Sequence, residues 1–588
     1  MSPTPVIQPD EPAPAGPSGW RDGLLQAWRL AKPFWRDPAE RGAWGQLGLV
    51  IGLTLATVAI NVRLSIWSNA FFDALQARDL KAFWHQVGVF CGLALVFIVV
   101  AVYRMVLQQK LTMRWRSGLT GALLALWLRR GAAYRLQLGG RRTPDNPDQR
   151  VADDARSFVD STLSLLIGVI NASVTLVSFV GILWTLSGSL PIGRWHLPGY
   201  MVWVAIVYSL LGTWLAQIVG RPLISTNAQQ QQVEADFRYQ LVQVRDHAEA
   251  IALARGESGE QRRLTALFDA VRGNWARLIR NTKRLTWFSA GYGQLASIFP
   301  LLAAAPRYFS GAIQLGGLTQ TAQAFGQVQG ALSWFVDAYG ELADWRATVW
   351  RLSSFVSALE ADPNPAAAPH GAAVSATEAN APLTVRELGI GPAAGMPLLQ
   401  VPSIEVRPGE RLLVTGASGA GKSSLLRVLA GLFAPLSGTA RVPADSMFVP
   451  QRPYLPAGSL AEIISYPHAR SEFSDEALRR SLSLAGLAAL GPRLDEAAPW
   501  ARTLSPGEQQ RLQFARLFLH RPQWMLLDEI TSALDETSER TLYQALRAEL
   551  PQAGLISIGH RPSLRALHDD EITIHGGKLR PVPKLAVA

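Results

Sequence analysis

Five stretches of almost unbroken apolar residues mark the first half of the 588-residue chain, at positions 44–61, 85–103, 163–184, 201–219 and 285–304. Crossing a bilayer as an α-helix takes about 20 apolar residues, so each stretch predicts a membrane span. A sixth, 319–342 (TQTAQAFGQVQGALSWFVDAYGEL), is more polar and fits either a span or a soluble amphipathic helix. Six spans return the chain to the side it started from, and six is the number expected.

The segments between the spans set an orientation. Those at 110–158 and 221–284 are crowded with arginine, whereas 68–83, 187–198 and 306–318 carry little positive charge. Positively charged loops stay in the cytoplasm, which places both long basic loops and both termini there. Each is longer than a helix hairpin needs and keeps helical patterning, so the spans are expected to extend well beyond the bilayer. The first twenty residues, MSPTPVIQPDEPAPAGPSGW, lack the basic start and apolar stretch of a signal peptide and read as a disordered cytoplasmic tail. The expected organisation is a tail at 1–20, a membrane domain at 21–360, a Pro/Ala-rich linker at 361–381 and a soluble domain at 382–588.

Composition agrees with a membrane protein: 48% hydrophobic and only 17% charged residues, against roughly 25% charged in soluble domains. The net charge of +11 would suit nucleic acid. No basic stripe interleaved with aromatics accompanies it, and the positive-inside distribution accounts for it, so the lipid bilayer and not nucleic acid is the expected partner. A soluble protein acting on DNA or ribosomes would not need five apolar spans. Cys91 is the single cysteine, which excludes an intrachain disulfide and a cysteine zinc cluster.

Beyond the linker, β-rich runs at 411–415, 524–527 and 555–558 alternate with helical patterns, as in an α/β domain with parallel strands. The first run leads into RLLVTGASGAGKSSLLRVLAGL, which fits G-x-x-x-x-G-K-[ST] between a strand and a helix. Backbone amides around Gly416, Ser418, Gly419, Gly421 and Ser424 would cradle phosphate oxygens of ATP. Lys422 would reach the β/γ-phosphates, and Ser423 would ligate Mg2+. In WMLLDE two carboxylates emerge at a strand's C-terminal end, where parallel sheets bind ligands. Asp528 is the candidate magnesium ligand and Glu529 the candidate general base for water attack. His560 comes directly after the strand LISIG and falls on the same edge.

The segment TLSPGEQQRLQFARLFLHRPQWMLLDEITSALDE resembles the signature motif, Walker B strand and D-loop of ABC ATPases. The resemblance implies that Ser505 and Gly507 contact a γ-phosphate bound by the opposite subunit and that Asp535 lies at the dimer seam. It makes Gln451, in VPQRPYL, the Q-loop glutamine beside the metal, and His560 the switch histidine. Each chain then holds half of two composite sites, and a second copy of the chain is the expected partner. Two departures stand out: the signature reads LSPGE rather than LSGGQ, and residues 388–400 contain no aromatic to stack on adenine.

The membrane half resembles the SbmA/BacA-like (BacA-related, YddA-type) family, with kinship to peroxisomal ABCD fatty-acyl half-transporters. The resemblance rests on FFDALQARDLKAFW, LTMRWRSGLT, PDNPDQRVADD, SFVGILWTLSG, EADFRYQLVQVRDHAEAIAL and QAFGQVQGALSWFVDAYGELADWRA. It implies a helical six-span transmembrane domain of the ABC exporter type fused to an α/β P-loop nucleotide-binding domain. It further implies an ATPase in the bacterial inner membrane that imports peptides, including cationic antimicrobial-type peptides, or other hydrophilic solutes. Fatty acyl, lipid or cobalamin-like cargo fits the same architecture, and an ATP-gated sensor that transports nothing is the alternative of a different class. Asp337, Glu341 and Asp344 share one face of the sixth helical stretch. Asp337 and Glu341 are candidates to receive cationic cargo, with pairing to Arg346 or Arg351 as the ordinary alternative. Near Arg150, the acids Asp145, Asp148, Asp153 and Asp154 read as a local salt-bridge and cap network.

Overall fold

The structure is a computed structural model that describes residues 20–129, 131–138, 146–192, 195–360, 373–391 and 397–582. The expected tail up to residue 19, most of the linker and Asp145 lie outside the described residues, and Trp20 belongs to the first helix instead of the tail. The chain divides into two compact units, one of residues 1–129 and 140–360, the other of 130–139 and 361–588. The division is therefore not contiguous in sequence, unlike the single expected boundary after residue 360.

The first unit is helical. It opens with α1 (Trp20–Arg36), which the apolar windows missed because its buried face, Ala27, Leu30, Ala31 and Phe34, alternates with charge at helical spacing. Next come helices α2 (Gly42–Gln76) and α3 (Leu80–Trp127). The short helix α4 (Ala132–Leu138) belongs to the other unit. A single turn, α5 (Pro147–Gln149), and a π-helical turn, Arg150–Asp154, lead into α6 (Ala155–Ser187). A hairpin of β1 (Ser189–Ile192) and β2 (Trp195–Pro198) precedes α7 (Tyr200–Asp246). The short α8 (Ala248–Leu253), then α9 (Glu257–Phe309) and α10 (Leu315–Glu360), complete the unit. The 53 residues of α9 extend about 80 Å at about 1.5 Å each, against about 30 Å of hydrocarbon.

Among the described residues, five helices are long and apolar enough to cross a bilayer: those containing α2, α3, α6, α7 and α9. The apolar window of α3 has no buried residue, so its Leu95, Ile98 and Val99 face outward. Helix α10 falls short in hydropathy for the opposite reason, because it packs inside the bundle. Its Ala324, Phe325 and Val328 are fully buried in one core with Phe179 and Leu183 of α6 and Met201 of α7. Its polar groups find partners on α2: Asn69 donates to Gln320 (2.6 Å), and Gln323 donates to Ser68 (3.0 Å). Between α7 and α9, Tyr208 and Tyr292 each donate a hydroxyl to the other's carbonyl at 2.9 Å. Gly212 makes room for this pair, since a Cβ there would lie 2.2 Å from the Tyr292 ring.

The acidic cluster near Arg150 reaches farther than a local network. Asp154, buried, accepts from Arg150 (2.7 Å) and takes both Nε (2.9 Å) and Nη2 (2.7 Å) of Arg351 on α10. Arg351 is thus committed to Asp154, while Asp337 is exposed and Glu341 half-exposed on α10.

The second unit is built on a ten-stranded sheet. In chain order its strands are β3 (Ala373–Thr377), β4 (Leu383–Ile390), β5 (Leu399–Val406), β6 (Arg411–Gly416), β7 (Ser437–Pro443), β8 (Ser446–Val449), β11 (Trp524–Asp528), β12 (Gly554–Ile558), β13 (Asp570–His575) and β14 (Lys578–Pro581). A small separate pair joins β9 (Gly458–Ser459) to β10 (Ala497–Ala498). The sheet order is β3-β7-β4-β5-β14-β13-β6-β12-β11-β8. Its centre is parallel, with β12 between β6 and β11 and β8 beside β11. Leaving β6, the chain turns into α11 (Lys422–Leu429). A helical layer of α12 (Leu460–Ser465), α13 (Asp475–Leu484), α14 (Trp500–Thr503), α15 (Pro506–His520) and α16 (Glu536–Glu549) surrounds a second core that includes Ile463, Leu482, Trp500, Phe514 and Leu542.

Candidate nucleotide site

Strands β6, β11 and β12 are neighbours in register, so the loops leaving their C-terminal ends meet at one edge of the sheet. The P-loop leaves β6 with Gly416, Gly419 and Gly421 all at positive φ. At Gly416 any side chain would press on the Ile574 carbonyl, 2.9 Å from a Cβ, so only glycine lets β13 approach. Ser418 and Gly419 are exposed at the loop tip, and Ser424 lies half-buried in the first turn of α11. Lys422 is only 7% exposed and turns its ammonium onto the loop's own carbonyls, Gly416 at 2.9 Å and Ala417 at 3.0 Å.

Ser423 donates its hydroxyl to Asp528 Oδ1 at 3.1 Å. Burial pushes the Asp528 carboxyl up, the Ser423 bond works against that, and the neighbouring Glu529 adds to it. A hydroxyl and a carboxylate side by side are the hard oxygen donors magnesium prefers, so this pair fits the ion. Glu529 occupies a left-handed backbone conformation at φ 48°. Its N–H donates to Ile558 (3.1 Å) and its carbonyl accepts from Ser532 (3.2 Å), which hold it there. Gln451 Nε2 donates to Glu529 Oε2 at 3.2 Å. Lys422 Nζ and His560 Nδ1 each lie 3.8 Å from Oε1. Lys422, Ser423, Gln451, Asp528, Glu529 and His560 thus converge on one point.

Ser505, Gly507 and Asp535 do not join this point within the chain: each is engaged elsewhere on the surface. Ser505 is the N-cap of α15 in a capping box, its N–H (2.9 Å) and hydroxyl (2.7 Å) both on Glu508 Oε2. The Ser505 hydroxyl, then its N–H, hold the Glu508 carboxyl below the usual range. Gly507 lies in the first turn of the same helix. Asp535 caps α16 through the Ser538 N–H (3.0 Å). All three positions are exposed or half-buried.

Glu539 has a role that sequence patterning did not signal. Fully buried on α16, it accepts the hydroxyls of Thr531 and Ser563, both at 2.6 Å, and so ties the loop after Glu529 to the segment after His560. In sequence it is an acid in a first helical turn, which ordinarily marks a solvated helix start. A cavity of about 520 Å³ opens beside the site, lined by Ser423, Arg427, Phe448, Gln451, Asp528 and Tyr134 of α4, whose ring lies 6.0 Å from that of Phe433.

Known families match both halves of the chain. The family description "ABC transporter transmembrane region 2" matches residues 38–309, and "ABC transporter" matches residues 399–532. The inner membrane ABC transporter ATP-binding protein YddA of Escherichia coli K12 is 34% identical over 550 residues, covering 92% of this chain and 96% of its own. The chain belongs to the ABC transporter family. As an ABC half-transporter it is an ATPase coupled to membrane transport, with a helical transmembrane domain fused to an α/β nucleotide-binding domain. The chloroplastic ABC transporter D family member 2 of Arabidopsis thaliana is 31% identical over 98% of this chain and 88% of its own. The mouse lysosomal cobalamin transporter ABCD4 is 28% identical over 91% of this chain and 93% of its own. A bacterial Atm1-family ABC exporter solved with ATP bound shares the fold, with a TM-score of 0.70 over 92% of this chain and 95% of that one at 19% identity.

Proposed function

We propose that the protein is a homodimeric pump of the bacterial inner membrane that uses ATP to import peptides, the activity implied by the resemblance of its membrane half to the SbmA/BacA-like family. The observation that carries the ATP-driven part is the convergence of Lys422, Gln451, Glu529 and His560 on one sheet edge. Lys422 leaves its loop carbonyls to neutralise the β- and γ-phosphates, and the P-loop amides hold them. Ser423 and Asp528, with Gln451 nearby, would hold magnesium, which supplies charge neutralisation on the phosphates. Glu529, steered by Gln451, orients the attacking water and takes up its proton. His560 supports the γ-phosphate. Ser505 and Gly507 of a second copy complete each site, and Asp535 sits at the seam between the copies.

The test is uptake of a labelled cationic peptide into sealed vesicles, with ATP on the side of the nucleotide-binding domains. Uptake by wild type and none by Glu529→Gln is expected; hydrolysis without peptide movement would remove the cargo assignment. Asp337→Asn and Glu341→Gln, at the proposed cargo face, are expected to slow uptake without lowering basal hydrolysis, and unchanged uptake would clear both residues. A second reading, cobalamin-like cargo, is supported by the similarity to ABCD4 over nearly the whole chain. It is tested by offering labelled cobalamin to the same vesicles.

A further inference from the structure

Helix α15 carries three buried polar side chains, at 510, 513 and 516, and those of Gln510 and Gln513 end on loops bordering the nucleotide site. Gln510 donates to Ser532 Oγ (2.9 Å) and accepts the Ala533 N–H (2.9 Å). Arg516 donates to the carbonyls of Tyr454 (2.8 Å) and Ile463 (2.9 Å). Gln513 donates Nε2 to the carbonyl of Pro450 at 2.7 Å. Pro450 immediately precedes Gln451, whose own amide donates to Glu529. Two hydrogen bonds and one peptide link therefore join the middle of α15 to the carboxylate proposed to orient water.

Gln513 is a costly residue to place there. It is 2% exposed, its neighbours Leu512, Phe514 and Ala515 are all buried apolar residues, and its Oε1 is buried without a hydrogen-bond partner among the described residues. An amide with an unpaired acceptor in a core is less favourable than an apolar side chain of the same volume. What the amide provides is a donor to the Pro450 carbonyl, immediately before Gln451.

We propose that Gln513 is a positioning residue for ATP hydrolysis, anchoring the Pro450 carbonyl so that Gln451 stays in register with Glu529. The inference rests on the reading of Gln451 and Glu529 as hydrolytic residues. Gln513 acts through the loop it holds.

The experiment is a double-mutant cycle in the full-length protein reconstituted in lipid, with ATPase kinetics and the thermal unfolding midpoint as readouts. Gln513→Met keeps the volume and removes the donor. It is expected to lower kcat roughly fivefold, the order of one lost hydrogen bond, with KM for ATP unchanged and the unfolding midpoint equal to or above that of wild type. In a Gln451→Ala background the same substitution is expected to cost nothing further. Gln513→Glu is the second variant: its protonated acid donates as the amide does, and its carboxylate does not. Its kcat should therefore fall with rising pH across the raised range of a buried carboxyl, a limb absent from wild type. Equal slowing with and without Gln451, or wild-type kcat in both Gln513 variants, overturns the proposal. Hydrolysis at the wild-type rate in Glu529→Gln or Gln451→Ala would instead overturn the underlying site reading, and the proposal with it; a reduced but measurable rate in Gln451→Ala is what the cycle is read from.

Discussion

Glu529 combines a strained backbone with the side chain proposed to orient water, and the two can be separated by substitution. At φ 48°, a residue with a Cβ is disfavoured by about 1–2 kcal/mol relative to glycine. Glycine returns roughly 0.4–1 kcal/mol of that through its freer unfolded chain. Glu529→Ala and Glu529→Gly both remove the carboxylate, the Gln451 bond and the contacts to Lys422 and His560. Their difference therefore isolates the backbone, and Glu529→Gly is expected to be the more stable by about 0.5–1 kcal/mol. For a domain of about 200 residues, 1 kcal/mol moves the unfolding midpoint by roughly 2–4 °C. Hydrolysis should respond quite differently: both variants, and Glu529→Gln, are expected to lose about 10²–10⁴ in kcat, the usual contribution of a general base. The assay pairs steady-state ATPase rates with thermal unfolding of nucleotide-free protein. Equal midpoints for the alanine and glycine variants would refute the strain argument, and a wild-type rate in any of the three would refute the base assignment.

Three further substitutions have expected outcomes. Glu508→Gln removes a carboxylate held ionised by Ser505; if phosphate from the opposite subunit approaches Ser505, KM for ATP should fall about fivefold, the order of one charge at 4 Å in water, and an unchanged KM would count against that approach. Asp154→Asn takes the anion from Arg150 and Arg351. Breaking a buried pair costs about 3–5 kcal/mol, and the partial exposure of Arg351 lowers the expectation to about 2–3 kcal/mol, read as a lower unfolding midpoint with slower transport. Burial raises the Asp528 carboxyl, so its protonated form is the one the folded domain favours, and the stability this contributes is lost as pH rises through the raised value. Asp528→Asn should therefore stabilise nucleotide-free protein at neutral pH, with the gain vanishing below about pH 4, while hydrolysis is lost; a gain that persists in acid would contradict this.

Much of the fold was legible because bilayers and parallel sheets each impose a simple pattern. The apolar windows lie inside α2, α3, α6, α7 and α9, and the runs around 411, 524 and 555 are the adjacent parallel strands β6, β11 and β12. Hydropathy weakened at α10 because a helix surrounded by other helices can carry Gln320 and Gln323, whose partners are on α2. It missed α1 because an amphipathic helix averages its charges against its buried face. The convergence of Lys422, Asp528 and Glu529 was readable from strand ends, since parallel strands deliver their C-terminal residues to one edge. Gln513 and Glu539 were not. A buried polar residue inside a helix has no spacing signature, and its partners at 450, 531 and 563 are set by packing between elements far apart in sequence.

The placement of α4 bears on how this protein can be cut. Ten residues from the middle of the helical region, 130–139, group with the C-terminal unit, where Tyr134 lies against Phe433. A fragment that begins at residue 361 would leave this piece of its own surface behind, with the ring of Phe433 uncovered. Such a fragment should be less soluble than its sequence suggests, and a peptide spanning 130–139, supplied in trans, should bind it and raise its unfolding midpoint. The same grouping predicts that a chimera exchanging the C-terminal domain between two relatives is more stable when residues 130–139, more than 200 positions upstream, are exchanged with it.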